Sequence, residues 1–142
     1  MKREILNYPD KKHFSPKSNP RWGKEEETEI FGQNVKLFRK GKISEDDFRR
    51  FRLQHGAYGS RLQQNYSMVR IKIPSGEITP EQLEKIGALS EAFSIGSAHV
   101  STRQNIQLHW VQLEDVSEVM RGLVEVGLTT REACGNTVRN VM

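Results

Sequence analysis

Ten residues at positions 101–110, STRQNIQLHW, gather hydrogen-bonding side chains around one cation, Arg103. Two further arginines stand in strand-like segments far from it, Arg70 in MVRIKIP and Arg139 in TVRN. A guanidinium suits carboxylates and oxyanions because its planar fork donates two parallel hydrogen bonds and stays charged. A single arginine is more often solvated or ion-paired, so an anion site follows only if the fold brings these three together.

The second half of the chain predicts a fold that can do this. Val69, Ile71 and Ile73 alternate with Arg70 and Lys72, which is typical of a strand with one buried face. The predicted elements are this strand at 68–73, a helix with a capping box from Thr79 to Gly96, strands at 98–102 and 106–112, a helix between Asp115 and Gly127, and a strand at 137–141.

The order β-α-β-β-α-β is that of an α+β ferredoxin-like plait, an antiparallel sheet with two helices on one face. The opposite face is then free for a ligand. Residues 1–60 are predicted to be an extended polar arm with short helices, one at 25–38 and one capped by Ser44. The predicted domains are therefore 1–60 and 61–142, and the stretch AYGSRLQQNY after the second helix is rich in turn residues.

Composition narrows the class of protein only partly. The net charge of +4 favours an anionic partner, without separating nucleic acid from a multi-carboxylate ligand or a small oxyanion. The single cysteine, Cys134, excludes an internal disulfide framework and any metal site that needs several thiolates from this chain. The sequence shows neither a signal-peptide pattern nor a long apolar run, so we expect no membrane association and a cytoplasmic location.

Three segments in this order, MVRIKIPSG, STRQNIQLHW and EACGNTVRNV, resemble the first half of the siroheme-dependent nitrite and sulfite reductases. The resemblance implies a ferredoxin-like half domain that packs against a second, similar half, with siroheme and a [4Fe-4S] cluster near the interface. It implies an oxidoreductase that passes six electrons to nitrite, giving ammonia, or to sulfite, giving sulfide. Ferredoxin is the electron donor expected from the resemblance.

Position by position, the resemblance implies a role for each arginine. Arg70 is expected at the substrate pocket and beside the siroheme carboxylates, Arg103 on a siroheme carboxylate, and Arg139 facing the bound oxyanion, whereas Lys72 matches a position that is basic in some members. The expected catalytic residues are Arg70 and Arg139. The residues expected to bind the cofactor are Arg70, Thr102, Arg103, Gln104, Asn105, Gln107 and Arg139.

His109 and Cys134 invite a ligand role beside a porphyrinoid. We expect His109 to be a hydrogen-bonded strand residue and Cys134 to be a small packing residue in a loop. The resemblance implies that the cysteines that bind the cluster and the siroheme iron lie in the later half of the enzyme. No residue of this chain is therefore expected to bind a metal.

The sequence stops at Met142, where members of the family continue, so we expect a fragment that lacks the C-terminal half of the enzyme and has no turnover alone. One alternative is a subunit of a split reductase whose partner chain carries the cysteines. Another is a non-catalytic ferredoxin-like module that binds RNA or another anionic ligand. RNA is disfavoured because RNA-recognition plaits stack bases on aromatic residues of their strands, and Trp110 is the single candidate here.

Overall fold

One antiparallel sheet with helices around it accounts for the part of the chain that the structure, a computed structural model, describes: residues 23–60 and 65–134. The sheet has the strand order β1-β2-β4-β3, and every neighbouring pair is antiparallel. The elements are α1 (Glu25–Arg39), α2 (Glu45–Gln54), β1 (Ala57–Gly59), β2 (Tyr66–Ile71), α3 (Pro80–Phe93), β3 (His99–Val100), β4 (Ile106–Gln112) and α4 (Val116–Glu125).

The series β2-α3-β3-β4-α4 confirms the predicted ferredoxin-like fold over these residues. The predicted last strand, 137–141, lies outside the described residues. After α4 the chain returns to the edge of β2, where Lys72 and Thr129 form an isolated antiparallel bridge. Lys72 N donates to Thr129 O at 2.9 Å.

Three details of the predicted strands were wrong. β2 begins at Tyr66 and ends at Ile71, because Ile73 N bonds to the Asn105 side chain and Pro74 begins a 3₁₀ turn. β3 has two residues instead of five and lies at the edge of the described sheet, so the hairpin that carries Arg103 joins one edge strand to one central strand. β1 forms within a stretch expected to be turns, because three residues are too few to show an alternating pattern.

The two faces of the sheet differ as the alternation in β2 predicts. Val69 and Ile71 are fully buried and point to the helices, as do Leu108 and Val111 on β4. The side chains between them point to the opposite face, which we call the open face. Its members in the described residues are Tyr58, Tyr66, Met68, Arg70, His99, Gln107, His109 and Gln112.

A β-bulge interrupts β4 opposite Met68, where the pairing register shifts between Ser67 and Val69. Trp110 lies at the bulge with a φ of 61°, so its side chain is 42% exposed instead of pointing into the core. Its ring meets that of Tyr66 edge-on, with centroids 6.0 Å apart.

The helix ends follow the predicted capping chemistry. Ser44 Oγ accepts a hydrogen bond from Asp47 N, and Thr79 and Gln82 form a complete capping box at the start of α3. The spacing in α3 predicts a buried stripe of Leu83, Ile86, Leu89 and Phe93. Ile86 and Leu89 are buried, but Leu83 is 55% exposed. No helix among the described residues is long and apolar enough to cross a membrane.

Helices α1 and α2, which precede most of the sheet in the chain, contribute to the same hydrophobic core as the sheet. Phe31 and Val35 of α1 and Phe48 of α2 are buried in one cluster with Val69 and Leu108. The sequence predicts Ile30, Val35 and Leu37 as the apolar positions of α1. Phe31 and Val35 are the buried ones, whereas Ile30 and Leu37 are 47% and 38% exposed. The boundary at residue 60 stays a prediction, although residues 25–59 pack on the same sheet as the rest.

Gly87 offers a direct check on helix α3. The residue is exposed in the helix interior, and a Cβ added there would meet no atom within 4 Å. Since alanine loses less backbone entropy than glycine in a helix, we expect Gly87→Ala to raise the free energy of unfolding by about 0.5–1 kcal/mol. Urea denaturation measures this, and a loss of stability would contradict the open surface assigned to this turn.

Candidate functional site: a polar row on the open face

A row of three polar side chains crosses the open face from β2 to β3. Arg70 pairs with Gln107 across β2 and β4, and Gln107 pairs with His99 across β4 and β3. Facing residues of antiparallel strands point their side chains to the same side. In the orientation of the Gln107 amide that satisfies both groups, its oxygen accepts from Arg70 Nε at 3.3 Å and from Nη2 at 3.0 Å.

Two further groups fix the guanidinium of Arg70. Its Nη1 donates to the carbonyl oxygen of Ala133 at 3.3 Å. Its Cζ lies 5.5 Å from the centroid of the Tyr58 ring on β1, which is a cation–π distance. The half-buried cation is therefore held by an amide oxygen, a carbonyl oxygen and an aromatic ring.

None of these partners carries a negative charge. Arg70 takes part in none of the ion pairs formed among the described residues. The described members of the open face include no aspartate or glutamate. The charge of this half-buried arginine is therefore not neutralised by a described carboxylate, and it can attract an anion that approaches the face.

The turn between β3 and β4 holds the other predicted contact residues. Thr102 and Arg103 are exposed, and Gln104 adopts a φ of 60° with its side chain packed on Gly76. Asn105 is 1% exposed, and its Oδ1 accepts from Ile73 N at 3.1 Å. One atom of the Asn105 side chain therefore ties the turn to the end of β2, while Thr102 and Arg103 face solvent.

The structure thus brings together part of the predicted site. Arg70 and Gln107 are in direct contact. In the next row of paired residues, Ile106 faces Ile71 and Val100, and the turn that carries Arg103 lies directly beyond this row. Arg139, the second predicted catalytic residue, lies outside the described residues. Lys72 follows Arg70 by two positions and bridges to Thr129.

Sequence reasoning missed Tyr58, His99 and the carbonyl of Ala133. Tyr58 lies in a three-residue strand without a readable period, and a backbone carbonyl carries no residue-type signal at all. His99 lies in a predicted strand, but only the register of β3 on β4 shows that its side chain is a neighbour of Gln107.

His109 lies beside His99 on the open face, with ring centroids 5.0 Å apart. Its Nε2 is buried and has no hydrogen-bond partner among the described residues. Burial, and to a smaller extent the charge of His99, lower the pKa of His109 below its ordinary value. The surroundings of His109 thus favour the neutral imidazole over the charged form.

This shift predicts a pH dependence of stability. Since the unfolded chain binds the His109 proton more readily than the folded chain, stability is complete above the ordinary histidine pKa of about 6.5 and falls as the pH drops below it. We expect the melting temperature of His109→Gln to fall less between pH 7.5 and pH 5 than that of the unaltered chain. Equal losses in both proteins would contradict this assignment.

Cys134 follows Ala133 directly, and both are buried, with Cys134 1% exposed. The position fits the expected packing residue in a loop. The adjoining Ala133 carbonyl is the one that holds Arg70, so packing of this loop also positions the cation of the open face.

Comparison with known proteins supplies the family. The sequence model of the nitrite/sulfite reductase ferredoxin-like half domain matches residues 60–126. Residues 60–126 thus match the ferredoxin-like half domain of the nitrite and sulfite reductases. The half domain contains Arg70, the β3–β4 turn and Gln107, so the polar row lies within the matched region.

Relatives and a solved structure agree with this match. The chain is 39% identical over 82 residues to a sulfite reductase [ferredoxin] of Mycobacterium tuberculosis, covering 58% of this chain and 15% of the relative. It is 35% identical over 114 residues to an assimilatory ferredoxin-dependent nitrite reductase of Haloferax mediterranei, covering 70% and 19%. The structure of the Mycobacterium tuberculosis NirA protein superposes with a TM-score of 0.67 at 27% identity, covering 82% of this chain and 25% of that one.

The half domain is a small part of such proteins. The match to a sulfite reductase [NADPH] hemoprotein beta-component of Methylocella silvestris has 35% identity and covers 72% of this chain but 20% of the relative. The chain thus spans about a fifth or less of the length of these curated relatives.

Proposed function

We propose that this chain supplies the first ferredoxin-like half of a siroheme and [4Fe-4S] reductase that converts nitrite to ammonia or sulfite to sulfide. The observation that carries the proposal is Arg70, a cation on the open face that is held by Gln107, Ala133 and Tyr58 without a carboxylate among its described partners. The names of the relatives, which include both sulfite and nitrite reductases, support the reaction class.

The residues of the open face suit siroheme chemically. Siroheme carries several carboxylates on its rim, so its binding needs cations and neutral donors on one surface. Arg70 and Arg103 would bind carboxylates, with Thr102, Gln104, Asn105 and Gln107 as additional contacts. Because Asn105 Oδ1 already accepts from Ile73 N, the part of Asn105 left for a carboxylate is its amide nitrogen.

Substrate binding follows from the same charges. Nitrite and sulfite are anions, so we assign Arg70 and Arg139 to the oxyanion, which they would hold and orient. Siroheme, when bound, would pass electrons from the donor to the substrate. Arg70 meets the developing charge without rearrangement because the oxygens of Gln107 and Ala133 already orient its fork.

The remaining partners come from outside the half domain. A [4Fe-4S] cluster is held by several thiolates, and this chain has one cysteine, so we place the cluster ligands in the other half of the enzyme. Relatives named for ferredoxin support ferredoxin as the electron donor. We place the enzyme in the cytoplasm, a reducing compartment in which a chain with a single cysteine is at home.

A chimera tests this proposal. The 82 residues over which this chain matches the Mycobacterium tuberculosis sulfite reductase would replace the corresponding segment of that enzyme. We expect the purified chimera to show siroheme absorbance and to reduce sulfite with reduced ferredoxin, whereas this chain alone shows neither. A folded chimera without siroheme would overturn the proposed role of the open face, and the unaltered reductase prepared in parallel is the control.

A further inference from the structure

A groove of about 470 Å³ opens at one end of the sheet. It is lined by the end of α3, by Tyr66 at the start of β2, by Trp110 near the end of β4, and by Asp115 before α4. The turn that carries Arg103 adjoins the start of β4, which is the other end of that strand. The groove therefore lies apart from the turn that holds the predicted cofactor contacts.

Two aromatic rings stand at a steep angle to each other in this groove. The centroids of Tyr66 and Trp110 are 6.0 Å apart, with 73° between the ring planes. The Trp110 ring is 42% exposed because the backbone at the β-bulge has a φ of 61°, a conformation that a bulky residue rarely adopts. Aromatic rings that wall a site from two directions are the arrangement by which proteins hold organic cations.

The charge of the groove also favours a cation. Among the described residues that line it, Asp115 is the one charged side chain. Asp115 is half-buried, and it forms neither a capping hydrogen bond nor an ion pair with a described residue. The N-terminal end of α4 offsets part of this negative charge, whereas the C-terminal end of α3, with no basic residue in its last turn, adds negative potential.

The end of α3 offers backbone acceptors to the same ligand. No backbone N–H among the described residues bonds to the carbonyl oxygens of Ala92 and Phe93, which line the groove. The Ser94 hydroxyl donates to the carbonyl oxygen of His109 on β4 and so fastens the end of α3 to the sheet. The groove is thus formed before a ligand arrives, which lowers the cost of binding.

An open groove selects among cations by their hydration. An ammonium is a compact and strongly hydrated charge, whereas a guanidinium is more weakly hydrated, stacks on aromatic faces and donates two parallel hydrogen bonds to a carboxylate. The volume of about 470 Å³ is typical of sites that hold more than one head group. It therefore has room for an arginine side chain and the peptide groups beside it.

We propose that this groove binds an arginine side chain of a partner protein segment, with the guanidinium against Trp110 and Tyr66 and forked onto Asp115. The peptide groups next to that arginine would donate to the free carbonyl oxygens at the end of α3. The site does not depend on the proposed reductase function. Tyr66 precedes Arg70 by four positions, which is about 13 Å along an extended strand, and no cofactor takes part.

Titration of the 142-residue chain with three blocked tripeptides tests the proposal: glycine-arginine-glycine, its lysine analogue and its neutral citrulline analogue. The readouts are the NMR signal of the Trp110 indole N–H, assigned in Trp22→Phe, and the backbone amide signals of Ser94 and Ile95. We expect the arginine peptide to shift these signals saturably, the lysine peptide to bind at least about threefold more weakly, and the citrulline peptide to cause no saturable shift.

Matched variants separate the groove from general charge effects. Asp115→Asn removes the charge but keeps a good N-cap residue, and it should weaken binding of the arginine peptide about three- to fivefold. Trp110→Leu, followed at Ser94 and Ile95, should weaken it by a similar factor. Glu84→Gln removes the same charge from an exposed position in the first half of α3 and should change affinity less than about 1.5-fold.

Three results would overturn the proposal. Equal binding of the arginine and citrulline peptides, or unchanged affinity in Asp115→Asn, would show that the groove does not recognise a cation, even if Trp110→Leu does not fold. Equal binding of the lysine peptide would contradict the choice of a guanidinium. Guanidinium ion that binds as tightly as the arginine peptide would contradict the choice of a protein segment. Since siroheme and substrate are absent from the titration, none of these results bears on the proposed reductase function.

Discussion

Replacement of Arg70 by leucine in the chimeric reductase should lower kcat/KM for sulfite by about 10²–10³-fold, with siroheme content reduced as well. The reason is that Arg70 presents an oriented, uncompensated charge, and leucine removes the charge while keeping similar bulk. Arg70→Lys should retain more activity, at a loss of roughly tenfold, because an ammonium keeps the charge but cannot contact Gln107 and an anion with the same planar fork. Steady-state kinetics with reduced ferredoxin measure both.

The control for this experiment is Arg121→Gln. Arg121 lies on α4 in an exposed pair with Glu118, and a surface pair of this kind contributes little to stability. We expect its kcat/KM and siroheme content to equal those of the unaltered chimera. If Arg70→Leu also behaves like the unaltered chimera, Arg70 contacts neither cofactor nor substrate and the proposed site is wrong.

Gly56→Ala should lower the free energy of unfolding of the chain by about 3 kcal/mol or more. Gly56 has a φ of 77°, and an added Cβ would overlap the carbonyl oxygen of Thr130 and lie 2.9 Å from that of Arg70. Its own carbonyl accepts from Arg70 N at 2.9 Å. The glycine thus lets β1 and the chain after α4 share one edge of β2. Urea denaturation followed by circular dichroism measures the loss.

Gly41→Ala is the matched control. Gly41 has a similar φ of 67°, but an added Cβ would meet no atom within 4 Å. The backbone strain alone should then cost about 1–2 kcal/mol. The difference between the two variants isolates the steric part at Gly56, and equal losses would show that the close approach of Thr130 adds nothing to stability.

The fold was predictable where local patterns and tertiary packing agree. The alternation around Val69 and Ile71 and the Thr79–Gln82 capping box each identified an element that the structure contains. The pattern failed at Leu83, because spacing along a helix defines an apolar stripe but not how much of that stripe a two-helix layer covers. Whether β3 runs two or five residues depends on pairing with β4, which local sequence does not encode.

The residue types of the candidate site come from the sequence, and their functional role stays a prediction, whereas their contacts come from the structure. Arg70 and Gln107 were identified from the sequence, but the contact between them depends on the register of β2 on β4. Nη1 of Arg70 reaches a carbonyl 63 positions away, and this bond exists only because the chain after α4 returns to the edge of β2. Asn105 was expected to contact the cofactor, but in the structure its side chain accepts a hydrogen bond from Ile73 N and ties the turn to the end of β2. The residue type alone does not reveal this structural role.

A crystal structure of the chimera with siroheme and sulfite bound tests the central claim most directly. We expect a terminal nitrogen of Arg70 within about 3.2 Å of a siroheme carboxylate or a substrate oxygen, with its contact to Gln107 retained. A holoenzyme in which other protein covers the open face, and Arg70 lies beyond about 6 Å of both cofactor and substrate, would contradict the claim.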